Sequence, residues 1–364
     1  MYQVISPLGI QYPVLSCRVR RHGNEHEIVR VSVRGLHDPL NEPALAAGAP
    51  ITVRYGASAL NLYNFYGYVS HTEPHALQNG SYTDVVCIGP TRICKAAAAR
   101  TFLHRTIPGI LGDTFNRSSI GFFSDKNTQK WATQSQLSTQ SDWAFAVALA
   151  QQIGFMLVPE GAVVRGHDPV KVLSTAPPLL VRNATTFEPV VAAQGSVHTG
   201  STYARQVIQT TSYAIGADPP TILGTYSGVA PQGTVTTIPS PAPACLGEAR
   251  ALAQGAALSN VWVHQATLTM PGDTRLKPGG TIDLEISQYA GYAGLWAVLQ
   301  VDHTLVGQNV FNTKLLLGRD TFGPVQVRPP STPLPKSDGV TTKNIPGTVW
   351  RNNQWMVQWN VRSN

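Results

Sequence analysis

Three short segments of this 364-residue chain return, in the same order, at nearly the same distance along it. GAPITVRY is answered by PGGTIDLEI, which sets Ile51 against Ile282. FYGYVSH is answered by YAGLWAV, with Gly67 against Gly294, and DVVCIGPT by KLLLGRDT, with Gly89 against Gly318. The offsets are 231, 227 and 229 residues. Solenoid units repeat every ~20–50 residues, so a period this long predicts two copies of one whole β module, most naturally two related barrels.

Composition agrees with that reading. Charged residues make up only 13% of the chain, whereas Gly numbers 32 and Pro 27, a turn-rich balance that suits short strands and excludes a helical bundle. The expected class is mainly β (α+β). A first β-barrel occupies residues 1–95, a smaller inserted α+β domain 96–188, and a second barrel 189–325, followed by a C-terminal extension. In the first unit CRVRRHGNEHEIVRVSV reads as a hairpin turning at Gly23-Asn24, with Val29, Val31 and Val33 alternating beyond it. The second unit is interrupted by a Pro/Gly-dense stretch, 217–244, and then holds a helix, CLGEARALAQGAAL, before its strands resume.

The insertion carries the best-organised local signal, TQSDWAFAVALAQQIGFML. Ser141 is placed to cap a helix and Asp142 to meet its positive end. Trp143, Ala146, Val147, Ala150 and Ile153 fall at helical spacing, Gly154 suits the left-handed closing residue, and Phe155–Val158 reads as a buried strand. TIPGILGDTF suggests a second short helix opened by Pro108. Nothing in the long helix is a nucleophile or base with a partner, so its expected role is packing.

Residues 326–347 hold five prolines among polar residues and read as a semi-rigid linker. A Trp-rich hairpin, 348–364, follows. Asn352-Asn353 suits a two-residue turn that sets Trp350 opposite Trp355, and Trp355, Val357, Trp359 and Val361 alternate along the return strand. A lone hairpin is marginal in water, so Trp350, Trp355 and Trp359 are the candidate docking residues, against this chain's own body, a neighbouring subunit or another protein.

Searches for chemistry return little. His22 and His26 in HGNEH sit at a turn, and Pro74 in HTEPH speaks against a helix bearing His71 and His75; neither pair makes a metal motif. His303 lies on a strand with Asp302 on the opposite face. Asp283 and Glu285 share a strand face without an identified partner acid. Neither a GxSxG elbow nor a phosphate loop occurs, and KPGGT reads as a tight turn. Cys17, Cys87, Cys94 and Cys245 match no zinc spacing and read as structural thiols. The net charge of +7 is spread along the chain. Its densest patch, RVRRH at Arg18–His22, suits a solvated strand end or subunit contact, with a phosphate site as the alternative. The N-terminus shows no secretory signal and no window approaches a membrane span, which reads as a protein made in a cytoplasm. Catalysis, a cofactor and a metal are therefore not expected.

One resemblance gathers these features. QSDWAFAVALAQQIGFMLVPEG, then ARALAQGAALSNVWVHQATLTMPGDTRLKPGGTIDLEI, then YAGLWAVLQVDHTL are similar, in that order, to segments of tailed-phage baseplate hub proteins (the late control protein D family) and of the hub part of type VI secretion spike proteins. It spans roughly residues 101–318; the RSSIGFFSDK stretch and the Trp-rich tail are not matched. The resemblance implies a structural virion protein, assembled in the host bacterial cytoplasm, whose three copies form a ring of six near-equivalent barrels. Such a homotrimer joins a sixfold tail tube to a threefold spike, tail tip or baseplate, with DNA as a possible occupant of its channel. The competing reading is a tail-associated protein that binds or hydrolyses cell-wall glycan.

Overall fold

The computed structural model describes residues 2–5, 10–57, 62–77, 80–168, 171–172, 177–190, 207–211, 224–226, 235–239, 248, 251–252, 255, 262, 264–285, 292–307, 310–319, 348–351 and 354–357. The first unit contributes β1 (Tyr2–Ile5), β2 (Gln11–Tyr12), β3 (Val14–His22), β4 (Ile28–Arg34), β5 (Pro50–Gly56), β6 (Leu62–Leu77) and β7 (Gly80–Ile88). Its strands alternate cleanly: Val29, Val31 and Val33 of β4 are buried while Arg30 and Arg34 face water. With Cys17, Val19, Ile51, Val53, Phe65, Val69, Val85 and Cys87 they enclose one core.

The insertion follows as β8 (Arg100–Thr106), α1 (Ile107–Asn116), β9 (Gly121–Ser124), β10 (Lys130–Gln136), α2 (Asp142–Gln152), β11 (Met156–Glu160) and β12 (Val163–His167). Both helices start as the sequence predicts. Thr106 Oγ1 accepts from Gly109 N with Pro108 in the first turn, and Ser141 Oγ accepts from Ala144 N at 3.2 Å. Gly154 closes α2 at φ +73°. The buried face of α2 is wider than the predicted stripe, because Phe145 and Leu149 are buried as well as Trp143, Ala146 and Ala150. The helix is clasped between α1, β11 and further residues of the same core, which includes Ile110, Leu111, Phe115 and Trp131. Pro159 is tolerated inside β11 because that strand pairs on one side only, with β12.

The acid of the Ser-Asp-Trp signature does more than meet a helix end. Asp142 is fully buried, and its carboxylate accepts from Arg100 Nη2 at 2.7 Å, Gln136 Nε2 at 2.8 Å and Arg117 Nη2 at 3.1 Å. It ties β8, β10, the end of α1 and the start of α2 together. Removing one partner of a buried pair strands the others.

The second unit holds β13 (Leu179–Val181), β14 (Thr186–Val190), β15 (Val207–Thr211), β16 (Gly224–Tyr226), β17 (Val235–Pro239), β18 (His264–Pro271), β19 (Thr281–Leu284), β20 (Gly294–Val306) and β21 (Val310–Arg319). Its core gathers Phe187, Leu268, Met270, Ile282, Leu284, Trp296, Val298, Leu315 and Leu317. Strands β15, β16 and β17 form their own small sheet, as do β22 (Thr348–Arg351) and β23 (Gln354–Val357). Of the predicted helix at 245–258, the described residues Glu248, Ala251, Leu252 and Gly255 are helical, and Ala251 and Leu252 pack on the core of the insertion. Among the described residues no helix is long and apolar enough to cross a membrane.

The internal repeat is written in the strand order. The run β3–β4–β7–β6–β5 in the first unit is matched by β14–β18–β21–β20–β19 in the second, every neighbour antiparallel. Even the irregularity repeats: the β6–β7 ladder slips between Val69 and His71, and the β20–β21 ladder between Val298 and Gln300. The register corrects two predicted correspondences: Gly318, which faces Ala297, stands where Ile88 rather than Gly89 does, opposite Tyr68. Ile51 faces Gly67, but Ile282 faces Trp296, so Trp296 rather than Gly294 stands where Gly67 does. A Cβ on Gly67 would lie 2.5 Å from the Phe65 ring, so in the first unit a neighbouring ring crosses the site that Trp296 fills with its own.

The two units also share one sheet. Among the described residues the pairing closes no separate barrel; the order runs β14–β18–β21–β20–β3–β4–β7–β6–β5–β1–β2 without a break. Asp142→Ala is expected to destabilise the insertion by about 3–5 kcal/mol. Limited proteolysis should then cut first within 100–167 while both β units stay resistant.

Candidate assembly surfaces

The junction between the units is one strand shared by two sheets. The first half of β20 pairs with β19, from Gly294 opposite Leu284 to Ala297 opposite Thr281. Past the bulge it pairs with β3 instead, from Gln300 opposite His22 to Val306 opposite Ser16. A bulge re-aims a strand, which turns one edge of β20 from β19 to β3 while the other stays paired with β21 as far as Val306. Leu305 enters the first unit's core and Phe311 packs against it. His303, fully buried, bonds Thr313 Oγ1 through Nδ1 at 2.8 Å and lies between the rings of Tyr55 and Phe311. Burial, with the nearby Arg21 cation, lowers its pKa to about 3.

The insertion is wedged against both units. At the β3–β4 turn Asn24 adopts φ +63°, and its amide donates to Leu157 O at 2.7 Å while its Oδ1 accepts from Leu157 N at 2.8 Å. Gly23 lets Met156 approach: a Cβ there would sit 2.4 Å from the Met156 sulfur. The His26 ring packs on Trp143, tilted by 34° with centroids 4.5 Å apart, and bonds Thr91 Oγ1 at 2.9 Å. Its pKa is lowered to about 4, first by burial and then by Lys95. On the other side Lys277 Nζ reaches Glu160 Oε1 at 2.7 Å, and the KPGGT turn brings Gly279, at φ +74°, against the His167 ring. The apolar strand after α2 thus serves as the contact with the first unit's hairpin. That use was not readable from the sequence, where Gly23-Asn24 signalled only a turn.

The residues singled out for possible chemistry are mostly structural. Of RVRRH, Arg18 and Arg20 are exposed as expected for a strand end, but Arg21 is buried 3.3 Å from Glu27. Burial pushes the Glu27 carboxyl upward and Arg21 offsets part of that. His22 meets Asp302 at 3.4 Å, across the seam between units. His71 and His75 lie on the strand β6, not a helix. Glu73, His75 and Asp84 bring donor atoms within 4.8 Å of one another, but Arg30 sits against both carboxylates and already supplies positive charge there. Glu285 is paired with Arg182 at 2.7 Å. Cys17, Cys87 and Cys94 are buried, reduced thiols. A shallow groove of about 300 Å³ lined by Pro50, Ile51, Tyr66 and Tyr68 carries no carboxylate on its walls. At the C-terminus Trp350 does face Trp355 across the β22–β23 ladder, and Trp359 lies outside the described residues.

No protein-family model and no curated protein matches the chain. Solved structures do. A tail protein from Neisseria meningitidis MC58 aligns with a TM-score of 0.63 at 11% identity, covering 88% of this chain and 97% of its own. The 43 kDa tail protein of prophage MuSo2 from Shewanella oneidensis aligns at 0.62 and 12% identity, over 88% and 98%. A type VI secretion component from Escherichia coli, itself described as similar to phage T4 tail proteins, aligns at 0.59 and 9%, over 88% and 77%. The chain therefore has the fold shared by phage tail proteins and type VI secretion spike components.

His26 and His303, each with a pKa lowered chiefly by burial, make a pH test. Both are neutral when folded and take up a proton near pH 6.5 when unfolded. Their contribution to stability is complete above that pH and is lost as pH falls toward 4 and then 3. The melting temperature should fall across this window, and a His26→Gln/His303→Gln variant should show a shallower fall by calorimetry.

Proposed function

We propose that this protein is a structural hub of a phage-type tail: a ring of three copies that joins a sixfold tube to a threefold spike or tip. The observation that carries the reading is the repeated run of five strands, four of which in each unit lie on one continuous path. The chain lays β14–β18–β21–β20 and β3–β4–β7–β6 side by side in one ladder, so three chains supply six like units. A ring of that kind satisfies sheet edges that a monomer leaves open. The insertion, held by side chains of both units, suits a rigid outward element, and no catalytic step is needed for the role. Localisation in the virion, after assembly in the host cytoplasm, follows from it.

The Trp350, Trp355 and Trp359 hairpin, beyond a proline-rich linker, is the element proposed to grip a neighbouring component. The expected result by sedimentation is a trimer with a central channel in particle images, showing six similar lobes. A monomer at all concentrations, or a ring of another number, overturns the hub. Truncation after Gly347 should leave melting of the β units unchanged and weaken co-purification with tail components; undiminished co-purification removes the role given to the tryptophans.

A further inference from the structure

The two units are related closely enough to carry one unit's contacts onto the other. The bulge correspondence sets Gln300 on His71 and Thr304 on His75. Through Ile28 opposite Ile88 and Gln265 opposite Gly318, β4 maps on β18, with buried Val29, Val31 and Val33 falling on buried Ala266, Leu268 and Met270. Through their pairing with those strands, Ser16 of β3 maps on Thr186 of β14, and Arg18 on Glu188. The end of β20 that maps on the end of β6 is paired with β3, which maps on β14. Among the described residues no strand pairs with the corresponding edge of β6, and β14 stands at the end of the sheet.

We infer that the Glu73–Leu77 edge of β6 pairs antiparallel with the Thr186–Val190 edge of β14 in a second copy of this chain, with Leu77 opposite Thr186, His75 opposite Glu188 and Pro74 opposite Pro189. The inference rests on the hub reading and names its inter-chain seam. Exposure supports it independently. His303 and Leu305, buried in the seam inside the chain, correspond to Pro74 and Ala76, which are exposed and present an apolar surface for a second copy to cover.

The prolines then give the seam its character. Inside the chain Gly23 N donates to Leu299 O and Gly307 N to Leu15 O, which marks alternate pairs, His303 with Val19 among them, as the hydrogen-bonded ones. Pro74 and Pro189 stand at the positions of His303 and Val19, so each directs its substituted nitrogen into the seam and spares the ladders with β7 and β18. The joint between chains lacks two amide donors that the joint within the chain has. Three strong and three weak seams make a ring that comes apart into whole chains.

The His75 and Glu188 pair falls between hydrogen-bonded positions, where opposed Cβ atoms lie about 5 Å apart and a disulfide can form with small adjustment. A full-length His75→Cys/Glu188→Cys variant, mildly oxidised, should run as a covalent trimer on a denaturing gel. A mixture of the two single variants should give covalent dimers, and each single variant alone should match the wild-type background. A trimer by sedimentation that fails to cross-link overturns this seam and leaves the hub standing; a persistent monomer overturns both. Cross-linking of His75→Cys with itself overturns it in favour of a twofold edge contact. Pro74→Val/Pro189→Val restores two donors and should lower the concentration at which trimers dissociate by about tenfold or more; an unchanged dissociation concentration overturns the orientation given to the prolines.

Discussion

The architecture depends on β20 changing partners at its bulge. Before Val298 the strand lines up with β19; from Gln300 that edge pairs with β3 of the first unit over seven residues, while the other edge stays on β21. Each backbone hydrogen bond in that seam adds only about 1 kcal/mol net, but the same stretch carries Val301, His303 and Leu305 into the interior. Strand pairing fixes the register and side-chain burial holds it. Without the switch, each unit would end in an open edge and the two would be joined by little more than the insertion.

The insertion reinforces this junction from the side. Its β11–β12 hairpin touches the first unit through Asn24 and the second through Lys277, so the two turns cannot move apart without breaking contacts with one rigid body. That body is kept rigid by Asp142, whose charge is tolerable in the interior only because two arginines and Gln136 surround it. A well-capped helix in a β-rich chain is explained by this duty. The element has to hold its own shape before it can brace others.

Local chemistry was legible in the sequence and long-range geometry was not. Pro108, Ser141 and Gly154 announced their helix ends because capping depends on the residues within one turn. Alternation exposed the strands, and spacing exposed the duplication. The match of Gly67 with Gly294 failed by two residues because shared glycines are a weak guide to register, which hydrogen bonds and ring packing set. Arg21 read as solvated from its basic neighbours; its burial depends on Glu27 across the same hairpin's turn and on Tyr63 arriving from β6. Asn24 announced a turn, but nothing nearby in sequence says that Leu157 docks on it.

Duplication alone makes two identical edges, and identical edges pair indiscriminately, so a useful ring needs its copies to have diverged. At the equivalent positions of the proposed seam the two copies differ in one particular. His303 and Pro74 occupy one site, Val19 and Pro189 the opposing one, and in each case the copy engaged inside the chain kept an amide while the copy at the rim lost it. Prolines on a sheet rim discourage casual pairing with any passing strand. A partner that brings a matching apolar surface can still bind, because it does not depend on the missing bonds. Unlike seams of this kind would bias the chain toward one closed ring and away from the open filaments that heterologous edges otherwise permit.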